Sequence, residues 1–218
     1  FQHRYVKPKV SVVLTEYRKL PCDDKMLPLG ELREPKEGLS RADIVVVTKC
    51  PSDIKPIDIN VVKKKLNLAK WQKVFFSTYK YKDIAPVFSG ETSYVPDLNW
   101  LGASDTILVV TGIANPVPMV KYLKRFNAKV KVIHFSDHHN YSREDLNFIQ
   151  KTFEYLPGER KFIVTTEKDA VRIINNAYFP HNLRKHMFYL PIEVEFLPGE
   201  DDFINTIMTK MSNDNLMK

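Results

Sequence analysis

Long apolar runs are missing from this chain: no stretch comes near the roughly eighteen consecutive apolar residues that a membrane-spanning helix requires. Cysteine is scarce. Cys22 and Cys50 stand far apart without metal-ligand spacing, which argues against a zinc knuckle or a disulfide framework and points to a reducing compartment. Glycine is thin as well, at seven residues, and none is followed by lysine. A G-x-x-x-x-G-K-[ST] loop, which wraps β- and γ-phosphates in backbone amides and a lysine, is therefore absent. No secretory signal is visible, and the chain opens Phe1-Gln2-His3-Arg4 without an initiator methionine. The expectation is a piece of a longer protein, with any missing motifs upstream. Acidic residues fall short of basic ones by 26 to 33, a net charge of +7. That surplus suits nucleotides, nucleic acid or anionic lipid headgroups without selecting among them, and a solvated basic surface accounts for it equally well.

What is present fits a globular chain able to bury a core: 218 residues, 44% hydrophobic and 27% charged, enough for one large or two small domains. Lys9–Thr15 and Asp43–Thr48 are short β-branched runs, and the second is continuous enough for a strand covered on both faces. Between them Pro28, Gly30, Pro35 and Gly38 mark an ordered loop over 21–40. Residues 57–68 fit a helix with Lys63, Lys64 and Lys65 outward, and 71–88 a strand or hairpin. Beyond residue 100 strand and helix alternate. Strands are predicted at 106–112, 130–135, 161–166 and 188–196. Helices follow Pro116, Ser142 and Lys168, with a last one opening on Asp201-Asp202 and burying Ile204, Ile207 and Met211. Ser142-Arg143-Glu144-Asp145 has the form of a capping box with Asp in the fourth place. This alternation implies an α/β fold with a mainly parallel sheet. The expected division is 1–88 and 100–218.

Ligands of open α/β sheets gather at the carboxyl ends of the strands. Three polar segments fall there: 111–116 (TGIANP), 136–140 (SDHHN) and 165–169 (TTEKD). In the second, Asp137, His138 and His139 offer an imidazole to accept or shuttle a proton. They could also ligate a metal, but no further Asp/His cluster completes a site, and adjacent histidines usually diverge. The plain alternative is that they only cap the Ser142 helix and line a loop. In the first lobe, Arg33 on its Pro-fixed loop can present its guanidinium to a phosphate with Glu34 orienting it. An ordinary surface ion pair, worth at most about 1 kcal/mol, is the competing account.

Read in order, these segments resemble the bacterial lipid A 4′-kinases (tetraacyldisaccharide 4′-kinases). Phe1-Gln2-His3 is similar to the end of that family's D-D-G-F-Q-H motif, and 27–35 (LPLGELREP) to its L-P-x-G-x-L-R-E-P loop. Arg41-Ala42-Asp43 is similar to the strand entry that follows, and Gly112-Ile113-Ala114-Asn115-Pro116 to its G-I-x-N/R-P turn. Asp137-His138-His139 and 165–170 (TTEKDA) correspond to two further segments. Six matches in one order leave little room for chance.

The resemblance implies a remnant of a P-loop NTPase-type core followed by a small C-terminal α/β lobe. It implies transfer of the ATP γ-phosphate, with Mg²⁺, to the 4′-hydroxyl of an acylated glucosamine disaccharide 1-phosphate. The implied place is an anionic membrane surface, the cytoplasmic face of the inner membrane, with no nucleic acid partner. Carried over by residue, His138 is the histidine that, with an upstream aspartate, prepares the 4′-hydroxyl. Gln2, His3, Arg33 and Glu34 belong to the phosphate and metal region, while Asp137, His139 and Asn115 support. Thr48-Lys49 stands where nucleotide-binding folds often place base contacts. No metal ligand is expected within this chain, and the chain alone is expected to be inactive. Two other classes remain: a metal-dependent phosphoesterase built on Asp137-His138-His139, and a basic module binding anionic lipid or nucleic acid.

Overall fold

The computed structural model describes residues 5–92, 94–197 and 199–212. In chain order its strands and helices are β1 (Val12–Glu16), β2 (Ile44–Thr48), α1 (Pro56–Leu66), β3 (Lys73–Tyr81), β4 (Ala85–Pro86), β5 (Thr106–Thr111), α2 (Val117–Leu123), β6 (Lys129–His134), α3 (Arg143–Glu154), β7 (Lys161–Thr166), α4 (Glu167–Ile174), β8 (Met187–Leu190), β9 (Ile192–Leu197) and α5 (Glu200–Ser212). They form two compact units. One takes the described residues up to Lys80 and from Glu193 onward; the other is Tyr81–Ile192.

The first unit holds a four-stranded sheet in the order β1-β2-β3-β9, with β1–β2 and β2–β3 parallel. Ile44, Val45, Val46 and Val47 of the inner strand β2 are all buried, as their continuous β-branched run predicts. Val45 and Val47 pack with Val62 and Leu66 of α1, Phe76 of β3, and Leu20, Ala42 and Cys50. Helix α1 begins on Pro56, whose missing N–H costs nothing in a first turn. It ends on Asn67 in the left-handed region, with the Asn67 N–H donating to Lys63 O at 3.2 Å.

The second unit holds a five-stranded sheet in the order β4-β8-β7-β5-β6, parallel except for the β4–β8 pair. Its parallel strands follow one another in the chain through α2, α3 and α4, because parallel strands cannot be closed by a tight turn. All six residues of β5 are buried, and alternation along the strand splits them between two cores. Leu108 and Val110 meet Leu146, Ile149 and Phe153 of α3 and Ile173 of α4. Ile107 and Val109 meet Met119 and Leu123 of α2 with Leu98 and Leu101. Each fully buried aliphatic side chain contributes about 1.5–3 kcal/mol. The sheet is thus held from both faces, and its polar chemistry is confined to its ends.

The tail of the chain departs from expectation. The strand predicted over 188–196 is broken at Pro191, which has no N–H to give a ladder. Its halves join different sheets: β8 pairs with β7, while β9 lies beside β3. A lobe running unbroken from 100 to 218 is therefore corrected to a unit that ends at Ile192, with the last strand and helix returning to the first unit. The buried face of α5 is corrected too. Its half-buried residues are Phe203, Thr206, Ile207 and Lys210, whereas Ile204 and Met211 are exposed. The reason is an aromatic cluster: Phe203 stacks on Phe196 at 4.5 Å and meets the edge of Phe75 at 5.3 Å. Lys210 extends this stripe to a salt bridge with Asp43 at 3.1 Å. Among the described residues no helix is long and apolar enough to cross a membrane.

Candidate functional site

The parallel register brings the three polar segments of the second unit to one edge. Thr111 at the end of β5 lies opposite His134 at the end of β6, and the chain then turns across the sheet edge. Phe135 N–H donates to Thr111 O at 2.8 Å, and His138 N–H to Gly112 O at 3.1 Å. The same His138 N–H lies 3.1 Å from Asp137 Oδ1. His138 takes φ +59, in the left-handed region, which costs a non-glycine residue on the order of 1 kcal/mol and is met most often where surrounding contacts dictate it. Gly112 is required by close approach. A Cβ there would sit 3.1 Å from the His139 Cβ and 3.2 Å from both Asp169 Oδ1 and Ser136 O.

The two histidines part ways. His139 stacks on Phe135 with ring centroids 4.6 Å apart, and its Nε2 donates to Asp145 Oδ2 at 2.8 Å. That same oxygen accepts the Ser142 N–H and hydroxyl, each at 2.8 Å, so the capping box of α3 is present as expected and His139 is fastened to it. Burial pushes the Asp145 carboxyl up, but the hydrogen bonds from Ser142 and His139 outweigh it and leave its pKa below the ordinary value. His138 points the other way, with its side chain 66% exposed. Its Nδ1 lies 3.0 Å from Arg172 Nη2, and its Nε2 lies 3.7 Å from Asp137 Oδ2.

Three residues at the centre, Asp169, Arg172 and Tyr141, have no role assigned from the sequence. Asp169, wholly buried, accepts the Gly112 N–H at 3.0 Å and the Thr166 hydroxyl at 2.8 Å on one oxygen, and Arg172 at 3.3 Å on the other. Burial, first, and the neighbouring Asp169 carboxylate hold the buried Tyr141 hydroxyl far above the usual tyrosine range. The signals were in the sequence. Thr166-x-x-Asp169 repeats the spacing of Ser142-x-x-Asp145, and Arg172 follows Asp169 at helical i,i+3 spacing.

The remaining expected residues are dispersed. Asn115 Oδ1 accepts the Val117 N–H at 3.2 Å, a local turn at the start of α2. Arg33 and Glu34 belong to the first unit; Arg33 is exposed, and Glu34 pairs with Arg41 at 2.6 Å rather than orienting Arg33. Thr48 Oγ1 bonds Thr15 O at 3.1 Å, and Lys49 pairs with Glu16. Gln2 and His3 lie outside the described residues. A cleft of about 640 Å³, lined by Arg160, Lys161, Lys185 and His186 among others, sits at the amino-terminal end of β7, the opposite end from the His138 cluster. Among the described residues no three His, Cys, Asp or Glu side chains converge as a metal site would need, so the phosphoesterase reading finds no support in them.

Comparison with known proteins covers nearly the whole chain. The family described as tetraacyldisaccharide-1-P 4′-kinase matches residues 1–212. A tetraacyldisaccharide 4′-kinase of Bacteroides thetaiotaomicron is 46% identical over 211 residues, which cover 94% of this chain and 55% of that protein. One from Phocaeicola vulgatus is 39% identical over 215 residues, covering 99% and 58%. A crystal structure of "apo" form LpxK from Aquifex aeolicus, in complex with ATP, superposes with a TM-score of 0.60 at 20% identity, over 96% of this chain and 55% of that one, and shows a shared fold. The chain spans little more than half the length of these relatives. With nearly its whole length matched and the six segments in order, the chain belongs to the tetraacyldisaccharide-1-P 4′-kinase family.

Proposed function

We propose that this chain is part of a kinase that transfers the γ-phosphate of ATP to the 4′-hydroxyl of a tetraacyldisaccharide 1-phosphate, a step of lipid A biosynthesis. The observation that carries the reading is the family match, together with the position of the matched segments: three of them meet at one sheet edge around His138. Phosphoryl transfer asks a protein chiefly for positioning and charge neutralisation. This chain supplies a rigid edge with an exposed imidazole, and the first-unit loop bearing Arg33 supplies a cation suited to phosphate.

The phosphate cradle is another matter. The sequence has no G-x-x-x-x-G-K-[ST] loop, and no metal-ligand group forms among the described residues. In this reading both Mg²⁺ and the triphosphate are held by the portion of the relatives that this chain does not cover. Gln2, His3, Arg33 and Glu34 contribute at the border of that region. The proposed setting is the cytoplasmic face of the inner membrane. The net charge of +7 supports contact with anionic lipid, as do the exposed Lys121, Lys124, Arg125, Lys129 and Lys131 around α2 and β6.

The test is phosphate transfer from radiolabelled ATP to the disaccharide. The 218 residues alone give no product, while a full-length enzyme containing them turns over and loses on the order of 10²-fold in kcat on His138→Ala. Sustained transfer by the 218 residues alone, or a His138→Ala enzyme as fast as the wild type, overturns the assignment.

A further inference from the structure

We propose that Arg172 is a positioning residue that fixes His138 as its neutral Nε2–H tautomer, so that the ring presents a hydrogen-bond donor, not a proton acceptor, at the sheet edge. The argument begins with what an arginine can do. A guanidinium has N–H donors only, and it does not lose its proton in a protein. At 3.0 Å from Arg172 Nη2, His138 Nδ1 must therefore offer a lone pair, which places the ring proton on Nε2.

The charges around the ring agree. The Asp137 carboxylate lies 3.7 Å from Nε2 and favours an N–H there. Behind Arg172 the wholly buried Asp169 carboxylate holds the guanidinium at 3.3 Å. Tyr141, beside Asp169, keeps its hydroxyl proton. His139, next in the chain, is turned to Asp145 and does not compete.

The geometry is a closed circuit. Asp169 accepts the Gly112 N–H, Gly112 O accepts the His138 N–H, His138 Nδ1 accepts from Arg172, and Arg172 returns to Asp169. One buried carboxylate thus fixes both the backbone and the ring of His138. A salt bridge serving only to hold α4 would have no need to end on an exposed imidazole. Within the kinase reading, on which only the catalytic consequence rests, His138 donates to an oxygen of the reacting groups and does not itself remove the hydroxyl proton.

Two measurements decide it. In the 218-residue chain with ¹⁵N-labelled histidine, long-range ¹H–¹⁵N spectra near neutral pH are expected to show His138 with a bare Nδ1 and a protonated Nε2, as a single form. Arg172→Met keeps the stem but removes the donors, and should shift both ring nitrogens toward the averaged pattern of a free histidine. Arg172→Lys, which restores a donor, should move them back. A wild-type His138 that is Nδ1–H, doubly protonated or averaged overturns the proposal whether or not the variants fold, and so do ring shifts unchanged in a folded Arg172→Met.

In a full-length kinase, His138→Gln keeps an N–H donor but cannot accept a proton. It should stay within about tenfold of wild type, while His138→Ala falls by on the order of 10²-fold. Equal loss in both variants overturns the donor role. A wild-type enzyme with no transfer activity would count against the kinase reading and leave the spectra to decide the tautomer.

Discussion

Replacing Asp169 with alanine should unfold the second unit well before the first. The carboxylate is wholly buried and receives three donors: the Gly112 N–H at 3.0 Å, the Thr166 hydroxyl at 2.8 Å and Arg172 at 3.3 Å. Alanine leaves the buried Gly112 N–H without that acceptor, a cost of about 1–3 kcal/mol. It also strands a guanidinium whose side chain is only 24% exposed, and breaking such a pair on one side costs about 3–5 kcal/mol when fully buried. The Thr166 hydroxyl can still cap α4 through the residue 169 N–H, so that term is spared. The costs overlap at one site and are not additive, which gives a total of about 3–5 kcal/mol. At about 4 °C per kcal/mol for a unit of this size, Tm should fall by about 12–20 °C. The assay is hydrogen exchange at the Val109 and Val110 amides of β5, read against Val45 and Val46 of β2, because a whole-chain melt would blend two transitions. Asp169→Asn keeps one acceptor oxygen and the shape of the side chain, and should cost less than half as much. A loss below about 1 kcal/mol in the alanine variant, confined to no particular unit, would refute the view that this carboxylate organises the sheet edge.

Gly112→Ala should destabilise by about 1–3 kcal/mol and shift the His139 ring resonances, because the new Cβ meets the His139 Cβ at 3.1 Å and Ser136 O at 3.2 Å; an unchanged melting curve would show that the turn yields. Arg160 donates to Asp105 at 2.6 and 2.9 Å and holds its pKa below the ordinary 3.8. The stability this confers is present above that unfolded value and is lost as pH falls through the lowered one, so Asp105→Asn should flatten the decline in urea midpoint below about pH 4. Burial pushes the His186 imidazole below its ordinary 6.5, aided by Lys185 and Lys161. Stability should therefore drop as pH falls from 6.5 toward the lowered value, and urea midpoints of His186→Phe should lose that dependence while the wild type keeps it.

Much of this architecture can be read from residue pattern, because its strands are β-branched and its helices capped. β2, β5 and β7 are continuous apolar runs bounded by polar residues, and Leu146, Ile149 and Phe153 recur at helical spacing behind a Ser142 cap. Alternation of strand and helix then places 111–116, 136–140 and 165–169 at one edge without knowledge of any contact. The return of β9 and α5 to the first unit was not legible. Periodicity reports which face of an element is apolar, not which sheet it joins, although Pro191 did mark the break. Aliphatic spacing misplaces the face of α5 because that face is set by Phe203, which stacks on Phe196 seven residues back and meets Phe75 far away in sequence. Likewise the ion pair of Glu34 with Arg41, seven residues on, follows from the fold of the loop and not from adjacency in sequence.

The paired histidines show how a two-residue motif can do two jobs. If both residues continued the extended path of β6, the two rings would project to opposite faces and neither would be held at the strand end. The left-handed turn at His138 changes this. It lets the His138 N–H reach Gly112 O while the next residue drops its ring onto Phe135 and its Nε2 onto Asp145. His139 and the α3 cap anchor the loop, so the strain at His138 is carried by contacts that do not touch its ring. Rigidity on one side and exposure on the other are what a positioned hydrogen-bonding group needs, since a site on a sheet edge holds its geometry better than one on a free loop. Substituting His139 should therefore loosen the loop and lower stability, whereas His138→Gly should remove the imidazole chemistry and relieve the backbone strain, because only glycine takes this left-handed conformation without a Cβ penalty. Opposite signs of stability change at adjacent identical residues would be the expected signature of that division.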